Sequence, residues 1–396
     1  MTHDIETNAR LPLAGVRVLD LTRLLPGPLA TQHLADYGAD VVKIEDTGAG
    51  DYARSLGAMG GDTSYLYQVV NRNKRSLRID LKHPAGKAAF EKLVETADIL
   101  VEGFRPGVMD KLGLGYEALA RLNPRLVFCS ISGYGQTGPY ALRAGHDINY
   151  IGYAGVLDQI GSTGGAPAMS NLQLGDLLGG TMTALFGILV ALVDARAGGK
   201  GRFVDVAMTD AVMAHAIFPL IEVLAQGQVR PRGEDLLTGA VPCYGVYRTA
   251  DDRYMAVGAL EEKFWGLVCD TLDRPDLKPF HLATGGAGES AKAKLAEIFG
   301  ARTQAEWVAV FDAVDCCVTP VLTLQESLEN SQLQARGMVT EVDGVRQFGP
   351  VLRLSDMPAM ATRPAPAVAG TDSDAVLSEA GFAQADIDHL RQGGII

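Results

Sequence analysis

Cysteine is scarce in this chain. Five occur in 396 residues, at Cys129, Cys243, Cys269, Cys316 and Cys317. They form no CxxC pair and no metal-ligand spacing, and the adjacent Cys316 and Cys317 are badly placed to bridge each other. An odd count points to a reducing compartment, the cytoplasm, and no metal centre is expected. An apolar leader is also lacking: MTHDIETNARLP is polar, so residues 1–12 are read as a disordered lead-in. Positive charge is in deficit, with 35 Lys and Arg against 47 Asp and Glu, a formal net charge of −12. That argues against nucleic acid and anionic membrane as partners. It leaves room for a small anionic ligand held by a local basic patch. Long apolar runs are missing with one exception, LLGGTMTALFGILVALV, from Leu177 to Val193. This run is about one turn short of the roughly 20 residues a membrane span needs. Asp176 and Asp194 bracket it, so a buried core helix is expected.

Short apolar runs separated by helical patterns are abundant. VRVLDL, DVVKIED, SLRIDL, DILVEGF and RLVFCSIS read as strands. PGPLATQHLADYG, HPAGKAAFEKLVETA and YEALARLN read as helices between them. Strand and helix alternating at this spacing predict an α/β fold, a Rossmann-like parallel sheet covered by helices, with ligands at the carboxyl ends of the strands. GKGRFVDVAMTDAVMAHAIF adds a further strand and helix. YGVYRTADDRYMAVGA (Tyr244 to Ala259) instead alternates about Asp251 and Asp252 and predicts a β-hairpin. The domain reading is therefore a large domain over 13–200, a linker helix over 201–233 and a small α+β domain over 234–323. A return segment over 324–396 completes the large domain. It includes the connector MPAMATRPAPAVAG and a short helix capped near Asp372 or Ser373.

Several residues could carry chemistry, each with a plainer reading beside it. GYGQTG (Gly133 to Gly138) matches G-x-G-x-x-G after an expected strand. A dinucleotide site also needs a helix at the last glycine and an acidic residue about 20 positions on. Pro139, Tyr140 and a polar loop follow instead, so the stretch reads as a loop that lets backbone approach a ligand. Arg105 and Lys111 lie just past a strand's carboxyl end, as solvated charge or as phosphate contacts. Asp176, at the mouth of the apolar helix, is either its cap or a base or nucleophile kept ionised by the helix dipole, by roughly 0.3–1 kcal/mol. His146 heads HDINYIGYAGVL, as a structural residue or as a neutral base. Glu261 and Glu262 follow the hairpin, as surface charge or as the carboxylate that orients a histidine. Met169, Met208 and Met213 are candidates for an apolar channel as well as for plain core. His146, Asp176 and one glutamate beside an anion site suit an enzyme that moves a proton on an acidic carbon, or one with a carboxylate nucleophile.

LAGVRVLDLTRLLPGPLATQHLADYGADVVKIE resembles the class III CoA-transferase (CaiB/BaiF) superfamily. GHDINY, NLQLGD before a glycine-rich apolar helix, YRTADDRYMAVGALEEKF and CVTPVLTLQE resemble its α-methylacyl-CoA racemase branch. The resemblance runs from about Leu13 to the last helix. It implies a Rossmann-like large domain, a smaller domain and an interlocked homodimer acting on an acyl-CoA, with no tightly bound cofactor. It gives His146 and Asp176 as the two proton-carrying bases and Glu261 as the partner of His146. The family's proline after that glutamate is Glu262 here, which leaves the choice between Glu261 and Glu262 open. The backbone of Ile79, Asp80, Leu81 and Lys82 is implied to hold adenine, and Arg105 and Lys111 the phosphates. Gly145, Asp147 and Tyr150 of the motif complete the ligand site. Asp46 departs from relatives that carry a basic residue after the second strand. The expected reaction is proton exchange at Cα of a 2-methylacyl-CoA through an enolate, whose oxygen is held by amides at the start of the helix after Asp176. The alternative is CoA transfer between acids with Asp176 as nucleophile.

Overall fold

The apolar runs of the first half form one sheet in the computed structural model, which describes residues 10–358 and 362–396. Most of the lead-in and part of the connector lie outside the described residues. The strands are β1 (Arg17–Leu21), β2 (Asp40–Glu45), β3 (Arg75–Arg78), β4 (Ile99–Glu102), β5 (Val127–Ser132) and β6 (Phe203–Ala207). They lie in the order β3-β2-β1-β4-β5-β6, every pair parallel. Their apolar runs are continuous rather than alternating because helices cover both faces. Leu19, Leu100 and Phe128 face one core, while Val18, Ile99 and Val127 face the other.

Helices α1 (Pro26–Asp36), α2 (Pro84–Val94) and α3 (Tyr116–Leu122) make the crossovers. α4 (Asp147–Tyr153) follows β5, then α5 (Thr183–Arg196), and α6 (Met208–Ala214) follows β6. α1 and α5 pack on one face through Ala30, Leu34, Ala184, Ile188 and Leu192. α2 and α3 cover the other through Phe90, Leu93 and Leu119, joined by residues from the end of the chain.

α5 differs from the expected core helix. Its inner face is buried, but Met182 just before it and Phe186, Val190 and Val193 along it are exposed, Phe186 at 72%. The run is apolar all round, yet among the described residues only its inner side is buried.

The chain divides into two compact units. The first is the chain up to Ala154, together with Asn171–His215 and Gln334–Ile396; the second is Gly155–Ser170 and Ala216–Leu333. The second is larger than the expected 234–323. Arg232 bonds Asp158 and Gly165, and Thr163 bonds Gly233, so the 155–170 excursion belongs with it. The expected linker region supplies its helix α7 (Ile217–Gln226), which buries none of its residues. In this unit β7 (Tyr244–Arg248) and β8 (Tyr254–Gly258) form the expected hairpin, with Asp252 at φ +60° in the turn. Helices α8 (Glu262–Thr271), α9 (Gly285–Phe299) and α10 (Gln304–Phe311) follow, and β9 (Val318–Pro320) joins the hairpin as a third strand. Its core is Trp265, Phe299, Trp307 and Phe311 with Tyr247 and Met255.

The return to the first unit begins with the hairpin β10 (Val339–Val342) and β11 (Val345–Phe348). It ends in α11 (Ser373–Glu379) and α12 (Gln384–Gln392), whose Val376, Leu377, Ile387 and Leu390 enter the sheet core. The Asp80 amide donates to the Ile395 carbonyl at 2.8 Å.

Candidate active site

The strand order reverses between β1 and β4, and the loops leaving these strands part to open a crevice at their carboxyl ends. A cavity of about 540 Å³ lies there, and His146, Asp176, Arg105, Gly145 and Tyr150 all line it.

The loop after β1 is fixed from below by buried charge. The side chains of Asp20, Lys74, Lys43 and Asp51 are fully buried, with Lys74 paired to Asp20 at 2.9 Å and Lys43 to Asp51 at 2.8 Å. Burial alone would raise the Asp20 carboxyl, but Lys74 and Lys43 outweigh it and hold it at about 2. Lys43 also donates to the Thr22 carbonyl, and the Thr22 amide donates to Asp20. The Leu24 amide donates to Asp51, with Leu24 at φ +65°, a region few non-glycine residues adopt. A buried pair missing one partner is costly, so this arrangement is over-determined.

The GHDINY motif folds onto itself. His146 stands at the N-cap of α4 with its backbone extended and its ring exposed. Its amide donates to Asn149 Oδ1 at 3.0 Å. Tyr150, one turn on, is buried and donates from its hydroxyl to the Gly145 carbonyl. Burial, with Asp176 nearby, pushes that phenol up to about 12, so it remains a donor. Asp147 accepts the Asp176 amide on Oδ1 at 3.0 Å, which ties α4 to the segment bearing the second candidate base.

That segment, Gly175–Met182, is π-helical and runs directly into α5. Its glycines allow close packing. A side chain at Gly179 would come within 2.6 Å of the Met208 carbonyl, and one at Gly180 within 2.7 Å of Pro26. Such bulges often mark functional sites. Asp176 is therefore the second residue of the segment and not its cap, and its side chain is left to the cavity. Burial first, then the Asp147 charge, push its carboxyl up to about 6, partly offset by His146. The enolate-holding amides expected after Asp176 are committed elsewhere, since Asp176 donates to Asp147 and Leu177 to the Gln173 carbonyl at 2.8 Å.

Arg105 sits in the loop after β4 and has no ion pair among the described residues, whereas Lys111 ends the short helix Val108–Lys111 outside the cavity lining. Ile79, Asp80, Leu81 and Lys82 follow β3 and also lie outside that lining. The Ile79, Asp80 and Lys82 amides bond the Glu45 carbonyl, the Ile395 carbonyl and the Asp80 carboxylate, and the Asp80 carbonyl accepts the His83 amide at 3.3 Å. Glu261 is in the second unit, as the exposed N-cap of α8, and Glu262 is the first residue of that helix. Met208 lines the cavity, while Met169 and Met213 are exposed.

Three residues at the crevice carried no signal that sequence reasoning used. Arg23 and Arg143 line the cavity. Arg143 lies over the Tyr140 ring at 3.8 Å and donates to the Tyr153 hydroxyl at 2.7 Å. Glu102, the buried last residue of β4, accepts the Phe104 amide at 2.7 Å and so braces the loop that bears Arg105. Burial pushes its carboxyl up to about 7. Knowing that β1 and β4 are neighbours would have singled out Arg23 and Glu102, but strand order is not written in local periodicity.

Known proteins are similar to this chain in sequence and in fold. The chain is 37% identical over 388 residues to the alpha-methylacyl-CoA racemase of Homo sapiens, covering 98% of each. It is 32% identical over 401 residues to the succinyl-CoA:glutarate CoA-transferase of Mus musculus, covering 97% of this chain and 90% of that one. Among solved structures, a CAIB/BAIF family protein from Brucella suis superposes with a TM-score of 0.82 at 28% identity, covering 94% of this chain and all of that one. The CoA-transferase family III pattern matches residues 13–373. With the match spanning both units and every element that builds the crevice, the chain belongs to CoA-transferase family III.

Proposed function

We propose that the protein racemises the α-carbon of a 2-methylacyl-CoA thioester. The observation that carries this reading is that His146 and Asp176, on separate elements, open onto one cavity whose lining has no other acidic side chain. A thioester acidifies the Cα proton because its carbonyl takes up the carbanion charge as an enolate. One base removes that proton. The other, on the opposite face, delivers a proton to Cα, and solvent exchange restores both groups. A carboxyl held at about 6 serves either direction near neutral pH. Arg105 supplies phosphate recognition at the mouth. The exposed apolar residues of α5 and α7 support a homodimer as the working form.

Incubation with one enantiomer of a 2-methylacyl-CoA in D₂O, without any added acid, tests the reading. Deuterium enters Cα and the enantiomers equilibrate if it holds. Transfer of CoA to an added carboxylic acid, with Cα left protiated, refutes it. The second reading, CoA transfer through Asp176, is supported by the transferase relatives. It predicts an acyl adduct on Asp176 that hydroxylamine traps, and little effect of His146→Ala.

A further inference from the structure

Arg23 takes no part in the reading above, yet it projects from the loop after β1 at the switch point of the sheet. Its guanidinium carbon lies 5.3 Å from the centroid of the Phe104 ring, one residue before Arg105 in the facing loop. Its Nη2 donates to Asp46 Oδ2 at 2.8 Å. Asp46 is itself fixed, because its Oδ1 accepts the Gly48 and Gly50 amides at 2.8 and 3.3 Å. We infer that Arg23 is a phosphate-binding residue of this site, acting with Arg105 on the phosphates of the CoA moiety. The inference rests on the acyl-CoA reading and adds to it a residue that this reading does not require.

Three observations support it. The first is charge: in a protein of net charge −12, the cavity is lined by Arg23, Arg105 and Arg143 against the single carboxylate of Asp176. A polyanion is the ligand class such a lining favours. The second is availability. A guanidinium has five N–H donors, and Arg23 has one bond to a protein group. Arg143, by contrast, is held by Tyr140 and Tyr153. The third is rigidity. Thr22 and Leu24 on either side of Arg23 are bonded to the buried charges Asp20, Lys43 and Asp51, so the planar fork is presented from a backbone that has no freedom left to lose. A partly exposed pair such as Arg23–Asp46 contributes little to stability, so folding alone gives no strong reason for an arginine here.

The test is equilibrium titration of the full chain with CoA, 3′-dephospho-CoA and pantetheine, for the wild type and for Arg23→Ala, Arg23→Lys and Asp46→Asn. Arg23→Ala should weaken CoA by about tenfold or more, with pantetheine unaffected. Arg23→Lys should retain part of the affinity as a point charge, and Asp46→Asn, which leaves the guanidinium in place, should bind CoA at least as well as the wild type. A loss shared by CoA and 3′-dephospho-CoA assigns Arg23 to the diphosphate, and a loss confined to CoA assigns it to the 3′-phosphate. Wild-type affinity in Arg23→Ala overturns the inference. So does an equal loss for pantetheine, or a loss in Asp46→Asn as large as in Arg23→Ala, because each would make the residue merely structural. A wild type that binds no CoA at all would instead overturn the acyl-CoA reading itself.

Discussion

Replacing Asp147 separates two effects that one carboxylate exerts on Asp176. Its charge raises the Asp176 carboxyl, and its Oδ1 accepts the Asp176 amide at 3.0 Å. The rise from 3.8 to about 6 corresponds to roughly 3 kcal/mol against the charged form, at about 1.4 kcal/mol per pH unit. Burial is the larger cause and survives the substitution. Asp147→Asn keeps an acceptor oxygen and removes only the charge, so the Asp176 pKa should fall by about one unit and stay above 3.8. Asp147→Ala removes both. It leaves the amide without its acceptor, at a cost of about 1–3 kcal/mol if water does not replace it. The assay is the pH dependence of Cα deuterium exchange for each variant in a His146→Ala background, where Asp176 is the remaining base. Exchange requires the ionised carboxylate, so its acid limb should lie above about 6 for His146→Ala alone, where the lowering by His146 is gone, and move to lower pH with Asp147→Asn. Thermal unfolding should be near that of the parent for Asn and clearly lower for Ala. An acid limb that stays in place with Asp147→Asn would refute the electrostatic coupling. Equal thermal stability of Asn and Ala would refute the capping role.

The other predictions rest on separate features. Asp176 has a raised carboxyl pKa, so the stability tied to its protonated form is present below about 3.8 and is lost as pH rises through about 6. Asp176→Asn should therefore raise the unfolding temperature by a few degrees at about pH 7.5 while abolishing racemisation, and an unchanged or lower temperature would contradict the burial argument. Arg105→Ala should raise KM for the thioester by roughly tens-fold with little change in kcat, as measured by steady-state exchange, and an unchanged KM would return Arg105 to plain surface charge. Size measurement by light scattering should give twice the 42.0 kDa chain mass. Phe186→Glu, which puts a charge in the exposed stripe of α5, should shift that value toward the monomer. An active wild-type monomer would refute the homodimer.

The parallel sheet was legible because every strand but β3 and β6 is an apolar run bounded by a helix with a proline, a glycine or a capping residue at its edge, and β3 is flagged by the Leu77 and Ile79 that follow Ser76. The hairpin of the second unit was legible because Asp251 and Asp252 interrupt a strict alternation, whereas β9 was hidden because only three residues of CVTPV pair. Half of α5 was misjudged because an apolar residue that awaits a partner reads the same as one in a core. The excursion over 155–170 was assigned to the wrong unit because its ties to Arg232 run mostly to backbone carbonyls, which no side-chain pattern reports. At the site, His146 and Asp176 stood out through family resemblance and then proved to share a cavity. Their link through Asp147 was not legible, since it depends on a hydrogen bond across 29 positions of chain. The need for glycine at Gly179 and Gly180 comes from close neighbours at Met208 and Pro26, which the local sequence does not contain.

The last residues of the fold have a consequence for how the protein is made. β3 and the start of α2 are held against Ile395, whose carbonyl takes the Asp80 amide and whose side chain joins the same core as Ile79 and Phe90. During synthesis the ribosome releases all six strands of the first sheet long before that residue exists. The second unit, which ends at Leu333, emerges complete while the first still has an uncovered apolar face. The part of this face that α11 and α12 later cover therefore stays exposed for the whole time needed to translate the intervening unit, which makes it the natural point of call for a chaperone. A fusion or truncation that disturbs the residues around Ile395 should reduce soluble yield far more than its distance from the crevice suggests.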